Sequence, residues 1–183
     1  MFREEALVDT ARQALFLHEV AHPGIRFELI HDDPGPTLVC DRRQIGQALT
    51  NIVKNAVEAI EAKGGEAKGG EDGSVTMTLA EEPGRTVTIT VADTGVGLPA
   101  ERERIVEPYM TTRARGTGLG LAIVNKIIEE HHGTIGFSDR PGGGAVVTMT
   151  FDAASLAAQE EGDSFELAGE GQFATLTRNR NQT

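Results

Sequence analysis

Apolar residues recur every three to four positions in three segments of the chain, which predicts three amphipathic helices. These segments are residues 6–18, 41–60 and 119–132. Asp41 is a typical helix N-cap, and Gln44, three residues later, predicts a capping box at the start of the second helix. Gly133 is expected to end the third helix.

Apolar and polar residues alternate in most of the segments between these helices, which predicts strands. The alternation covers residues 25–30, 75–79, 86–92, 134–138 and 145–151, and residues 38–40 form a short additional strand. Glycine- and proline-containing turns join four of these strands into two hairpins. The order of elements predicts an α+β two-layer sandwich, in which helices cover one face of a mixed β-sheet.

Two further segments lack either periodicity. Residues 61–73 repeat Glu-Ala-Lys-Gly-Gly, and this glycine content predicts a mobile loop. Residues 153–183 are polar, acidic and aperiodic, and we expect a disordered tail. The length of 183 residues fits one domain, residues 23–152, between a helical lead-in at 1–22 and this tail.

Charge and cysteine content narrow the class of protein. The formal net charge of −11 argues against a nucleic-acid-binding surface, which needs many Lys and Arg side chains to neutralise phosphates. The single cysteine, Cys40, forms no internal disulfide, which favours a reducing cytoplasm. No apolar run approaches the roughly 20 residues that span a bilayer, although a longer parent protein could carry a membrane anchor.

A polar stripe runs along the second predicted helix. Asn51 and Asn55 stand four residues apart in Asn51-Ile-Val-Lys54-Asn55-Ala56, so their side chains lie about 40° apart on one helix face. Glu58 shares that face. Such a stripe needs polar partners if it turns inward.

Glycine-rich motifs follow a strand and open a helix. In Asp93-Thr94-Gly95-Val96-Gly97, a partly buried carboxylate after a strand can accept a hydrogen bond from an exocyclic amino group. The two glycines allow close backbone approach and positive φ. In Gly116-Thr117-Gly118-Leu119-Gly120, amide groups at a helix start can hold phosphate.

The three motifs, in this order, resemble the ATP-binding domain of sensor histidine kinases, in the wider GHKL (Bergerat-fold) family shared with DNA gyrase, Hsp90 and MutL. The resemblance covers about residues 25–151. The stretches 51–59 and 107–120 are most similar to the nitrogen-regulation NtrB/NtrY type. The resemblance to the family implies binding of ATP and Mg²⁺, with Asn55 as the metal ligand.

The resemblance also implies a set of site residues. Asn51, Asn55 and Arg113 are expected to be catalytic, and Arg113 and Arg115 are expected to meet the β- and γ-phosphates. Residues 107–113 match the F-box and lid, with Tyr109 and Met110 departing from the usual Phe. The nucleotide-binding set is Asn51, Lys54, Asn55, Ala59, Asp93, Gly95, Val96, Gly97, Tyr109, Thr112, Arg113, Arg115, Gly116, Thr117, Gly118, Leu119, Gly120 and Thr148.

Two positions depart from the family in an informative way. Family ATPases carry a water-activating Glu where this chain has Asn51, which favours a kinase over an ATPase. Relatives often carry a Thr near Ala145 that supports the adenine-binding Asp, and Thr148 is the candidate to face the pocket instead.

Three histidines are assigned no catalytic role. His18 begins His-Glu-Val-Ala-His-Pro, similar to the phosphoacceptor box of histidine kinases, but Pro23 and Gly24 end the helix at once. We interpret residues 1–22 as the end of a helix leading in from a dimerisation hairpin outside the chain. His131 and His132 are expected at a helix C-terminus, where the helix dipole favours His.

The sequence therefore predicts the catalytic domain of a two-component kinase. It would donate the γ-phosphate of Mg-ATP to a histidine on a separate dimerisation domain, for transfer to a response regulator. A monomer is expected because the hairpin is absent. Two alternatives stay open: a hydrolytic ATPase, or a non-catalytic module that binds nucleotide or a partner.

Overall fold

The computed structural model describes residues 1–64, 73–99 and 120–160. In chain order its elements are β1 (Arg3–Ala6), α1 (Leu7–Ala21), β2 (Ile25–Ile30), β3 (Thr37–Cys40), α2 (Arg42–Ala62), β4 (Gly73–Glu82), β5 (Thr86–Asp93), α3 (Gly120–Glu130), β6 (Thr134–Asp139), β7 (Ala145–Asp152) and α4 (153–160). No helix among the described residues is both long and apolar enough to cross a membrane.

The principal sheet has five strands in the order β2-β4-β5-β7-β6. β2 pairs with β4 in parallel, because β3 and α2 cross over between them, and the other pairs are antiparallel. The predicted mixed sheet and both predicted hairpins are confirmed. β3 instead joins β1 in a separate two-stranded sheet.

The two faces of the sheet differ in composition. The helices cover one face, where β5 buries Val87, Ile89 and Val91. Successive side chains point to opposite sides of a strand, so the alternate residues of each strand form the other face. Threonines dominate that face. On β5 the intervening residues are Thr88 and Thr90, which are only half-buried. The predicted two-layer sandwich is confirmed.

Helix α2 is the centre of the helical layer. Its apolar stripe packs on β4 and β5 and between α1 and α3. The predicted N-cap is confirmed, since Asp41 Oδ1 accepts from the Arg43 and Gln44 backbone N–H groups. The capping box does not form. The Gln44 side chain donates instead to Glu130 of α3, and the Asp41 N–H donates to His131 Nε2 at 3.1 Å.

The C-terminus of α3 corrects two expectations. His132, not Gly133, adopts the left-handed conformation with φ of 52°. The Gly133 N–H then reaches back to Ile128 O at 2.9 Å, as in a Schellman motif. His131 is fully buried rather than a solvated cation at the helix end. Its Nδ1 donates to Ile127 O, while its Nε2 accepts from Asp41, so the ring is a neutral Nδ1–H tautomer.

Residues 1–22 belong to the domain itself. β1 was not predicted, and it pairs antiparallel with β3. Leu7 and Ala11 of α1 have no exposed surface, and α1 packs against α2. Residues 1–22 therefore pack as part of the same core, and the predicted connection to a dimerisation hairpin stays a prediction.

The predicted tail also begins later than expected. Residues 153–160 form α4, and Ala153 and Leu156 are each 1% exposed. This helix adds to the core instead of forming a disordered segment. Residues 161–183, and residues 65–72 of the predicted glycine-rich loop, lie outside the described residues.

Candidate functional site

The polar stripe on α2 lies at the edge of the core. Asn51 and Asn55 are half-buried between residues that pack on the sheet. The Asn55 amide nitrogen is buried and has no hydrogen-bond partner in the described part of the chain. Buried polar groups are almost always hydrogen-bonded, so this amide nitrogen calls for an acceptor that the described residues do not supply.

Asp93 ends β5 on the helix-covered face of the sheet. It is 5% exposed, and its Oδ1 accepts from the Gly95 N–H at 2.9 Å. Thr94 fixes the strand end, because its Oγ1 accepts from the Ser74 N–H and its own N–H donates to Ser74 O. A carboxylate is therefore held rigidly at the point where the strand becomes a loop.

The loop after Asp93 is anchored directly to α2. The Val96 N–H donates to Ala59 O at 3.1 Å. A Cβ on Gly95 would lie 2.6 Å from Ala59 Cβ and 2.7 Å from Ala59 O, which is closer than packing allows. Gly95 is therefore required by the neighbouring helix rather than by a positive φ. Gly97 does have the predicted positive φ, at 85°.

The β6–β7 turn closes against the same strand end. Gly144 has φ of 105°, and a Cβ there would collide with Asp93 O and lie 2.8 Å from Asp93 C. The Gly144 carbonyl in turn lies beside Gly97. Three segments distant in sequence thus meet around Asp93: the end of β5, the α2 backbone and the turn before β7.

The structure brings these predicted residues together in one region. Asn55 and Ala59 are one helical turn apart on α2, and Ala59 contacts the loop that begins at Asp93. Val96 presents a side chain that is 54% exposed. Gly120 is the first residue of α3. The remaining members of the predicted set lie outside the described residues: Tyr109, Thr112, Arg113, Arg115, Gly116, Thr117, Gly118 and Leu119.

One predicted position differs from expectation. Thr148 pairs with Thr90, and both belong to the face of the sheet opposite to Asp93, so Thr148 does not join the site. Ala145, which is 7% exposed, is the β7 residue on the face of Asp93. Lys54 is exposed, and its ammonium lies 3.9 Å from a carboxylate oxygen of Glu58.

Lys63 is a cation near the site that the sequence did not single out. It follows the last turn of α2, and its Nζ donates to Thr94 O at 3.4 Å. Its position depends on the tertiary contact between α2 and the β5 loop. No local pattern in the surrounding glycine-rich sequence indicated it.

The surroundings of His18 support its interpretation as a helix residue rather than a phosphoacceptor. Its Nε2 is buried without a partner among described residues, and its ring stacks on His22. Burial and the neighbouring His22 lower the pKa of His18. His22 Nδ1 lies 3.4 Å from Glu61 of α2, so this histidine pair faces the helix layer and not an open surface.

Comparison with known proteins gives a consistent result. The sequence model of the histidine kinase-, DNA gyrase B- and HSP90-like ATPase family matches residues 40–155. The catalytic domain of histidine kinase ThkA has the same fold, with a TM-score of 0.70 and 33% identity over 84% of this chain and 96% of that one. The chain belongs to this family, as the ATP-binding catalytic domain of a sensor histidine kinase.

One curated sensor kinase and a second structure of ThkA are also similar to this chain. Nitrogen regulation protein NtrY of Azorhizobium caulinodans is 47% identical over 144 residues, which are 78% of this chain and 18% of NtrY. Histidine kinase ThkA in complex with response regulator protein TrrA has a TM-score of 0.67 and 31% identity, over 83% of this chain and 42% of that one. The chain thus spans about a fifth of the length of NtrY.

Proposed function

We propose that this domain binds Mg-ATP between α2 and the β5 loop and donates the γ-phosphate to a histidine on a separate dimerisation domain. The observation that carries the proposal is the buried amide nitrogen of Asn55, a donor without a partner among the described residues that a phosphate oxygen could satisfy, one helical turn from the point where α2 holds the Asp93 loop. Cytoplasmic action follows, since ATP is the donor.

Each end of this region suits one part of the nucleotide. The Asp93 carboxylate is an acceptor held in place by the Gly95 N–H at the edge of this region, so it can accept a hydrogen bond from the adenine amino group. Gly97, with its positive φ, follows in the same loop beside the Gly144 carbonyl. Asn55 would hold Mg²⁺ through its amide oxygen, a hard ligand of the kind this ion prefers. The ion would neutralise phosphate charge.

The polar stripe favours transfer to a histidine over hydrolysis. Asn51 stands one helical turn before Asn55, where the resemblance places a water-activating Glu in the family's ATPases. An amide cannot act as a general base. Catalysis would then rest on positioning and charge neutralisation, as is general for phosphoryl transfer.

Phosphotransfer to an added hairpin tests the proposal directly. The domain would be incubated with γ-labelled ATP and the separately produced dimerisation hairpin of NtrY, with and without Mg²⁺. We expect a Mg²⁺-dependent, acid-labile phosphohistidine on the hairpin and none on the domain alone. A response regulator would then accept the label. Rapid release of inorganic phosphate instead would favour an ATPase, and nucleotide binding without transfer would favour a regulatory module.

A further inference from the structure

One edge of the principal sheet is open in the described part of the chain. β2 stands at the end of the strand order, and among the described residues only β4 pairs with it. The outer edge of such a strand presents backbone N–H and C=O groups without ladder partners. β2 has six residues and carries no proline or lysine, two of the devices by which edge strands avoid pairing with other chains.

An apolar groove lies beside this edge. It has a volume of about 690 Å³ and lies between α1 and β2, with Leu15, Phe16, Phe27 and Leu29 among its lining residues. On α1, Phe16 is 61% exposed and Val20 is 67% exposed. Contiguous exposed apolar surface on a soluble domain marks an interaction site more often than chance exposure of single side chains does.

The polar residues of β2 are self-complementary. Arg26 and Glu28 are both exposed on the uncovered face of the sheet. If two copies of β2 pair antiparallel about a two-fold axis at Phe27, Arg26 of each copy stands opposite Glu28 of the other. Ile25 then stands opposite Leu29 on the helix-covered face. Opposite charges in direct cross-strand positions stabilise a sheet.

The same pattern selects against neighbouring registers. An axis at Glu28 places the two Glu28 carboxylates opposite each other, and an axis at Arg26 places two guanidinium groups opposite each other. Like charges in these positions destabilise pairing. An axis between two residues would bring side chains from opposite faces together. Of these registers, the one centred on Phe27 satisfies both charge and face and pairs all of residues 25–29.

We propose that two copies of this chain associate through β2 in that register, forming one continuous ten-stranded sheet. The interface is isologous, as in most homodimers. Phe27 meets its symmetry mate, and the α1 helices of the two copies lie side by side, so that Phe16 and its apolar neighbours cover the two grooves. This association goes beyond the nucleotide chemistry and does not depend on it.

Sedimentation of charge variants of the full 183-residue chain tests this dimer. The wild type would be compared with Arg26→Glu, with the double variant Arg26→Glu/Glu28→Arg, and with Lys126→Glu, a charge reversal on exposed α3. Concentrations would run from about 1 μM to about 1 mM, the range of weak specific association. Circular dichroism would check that each variant keeps its fold.

We expect concentration-dependent dimers of the wild type. Arg26→Glu should raise the dissociation constant at least about tenfold, and the double variant should return it to within about threefold of the wild type, because it restores the opposite-charge pairs. Lys126→Glu should change it little. A wild type that stays monomeric at the highest concentration would overturn the proposal. So would a double variant no better than Arg26→Glu.

Discussion

Gly95 and Ala59 touch through their backbones, although 35 positions separate them in the sequence. The Ala59 carbonyl accepts the Val96 N–H, and no space remains for a side chain on Gly95. This contact sets the spacing between the helix that carries Asn55 and the strand end that carries Asp93. The geometry of the nucleotide site thus depends on one residue pair that need not touch the ligand.

Gly95→Ala should destabilise the domain and weaken nucleotide binding together. The added Cβ would overlap Ala59 atoms, and overpacking of this kind costs about 1–3 kcal/mol. Thermal unfolding and ADP titration would measure both effects. Gly136→Ala on β6 is the matched control, since nothing lies within 4 Å of its Cβ position. Adding Ala59→Gly should not rescue Gly95→Ala, because the Ala59 carbonyl would still be in the way.

His131 should make the domain less stable in mild acid. Burial lowers its pKa in the folded state, and its Nε2 accepts a hydrogen bond that protonation would abolish. The unfolded chain, with a pKa of about 6.5, then binds the proton more readily. The stabilising contribution is complete above about pH 6.5 and is lost as pH falls through the lower folded pKa. Urea unfolding at about pH 7.5 and 5.5 measures it.

The control for this pH effect is His131→Gln. The variant should be less stable than the wild type at pH 7.5 but should lose less stability on acidification, because the titrating group is gone. His18, whose pKa is also lowered, remains in both proteins and contributes equally. An equally steep loss in the variant would show that other groups dominate the acid response.

Cys40 should be inert in the folded protein. It is 1% exposed, and burial raises its thiol pKa to about 12, so almost no thiolate exists at neutral pH. A disulfide exchange reagent should label it only as fast as the domain unfolds. Rapid stoichiometric labelling without denaturant would show that β3 opens locally on its own.

Asn55→Ala should remove the contribution of Mg²⁺ to nucleotide affinity. Without the amide oxygen, the ion loses the ligand assigned to the protein, and ADP affinity in Mg²⁺ should fall about tenfold or more. Affinity in the presence of a chelator should change much less. Gln13→Ala, which removes an exposed amide on α1, serves as the control in the same titrations.

Much of the fold was predictable because periodicity reports burial. The helix-face residues of β5 alternate strictly, and α2 carries a long apolar stripe. β1 has four residues and no alternation, so it becomes a strand only through pairing with β3. α4 covers only residues 153–160, and Leu156 is its one large apolar side chain, so its periodicity was too short to predict a helix.

Candidate site residues could be predicted where they belong to sequence motifs. They could not be predicted where their position depends on how two strands pair. Motifs in the sequence predicted Asp93 and Asn55 as site residues, and their roles stay predictions. Whether Thr148 shares the face of Asp93 depends on how β7 pairs with β5, and this pairing places it on the opposite face. The role of Gly95 depends on the approach of a distant helix. Tertiary relationships of this kind leave no periodic signal in the chain.

Calorimetric titration of ADP, with and without Mg²⁺, tests the central claim most directly. The proteins would be the wild type, Asp93→Asn, and Asp9→Asn as a control at an exposed carboxylate on α1. Asp93→Asn should weaken binding by about 1.5–3 kcal/mol, or roughly 10- to 150-fold, because it removes the charged acceptor for the adenine amino group. Asp9→Asn should bind like the wild type. If Asp93→Asn also binds like the wild type, Asp93 does not recognise adenine and the proposed site is wrong.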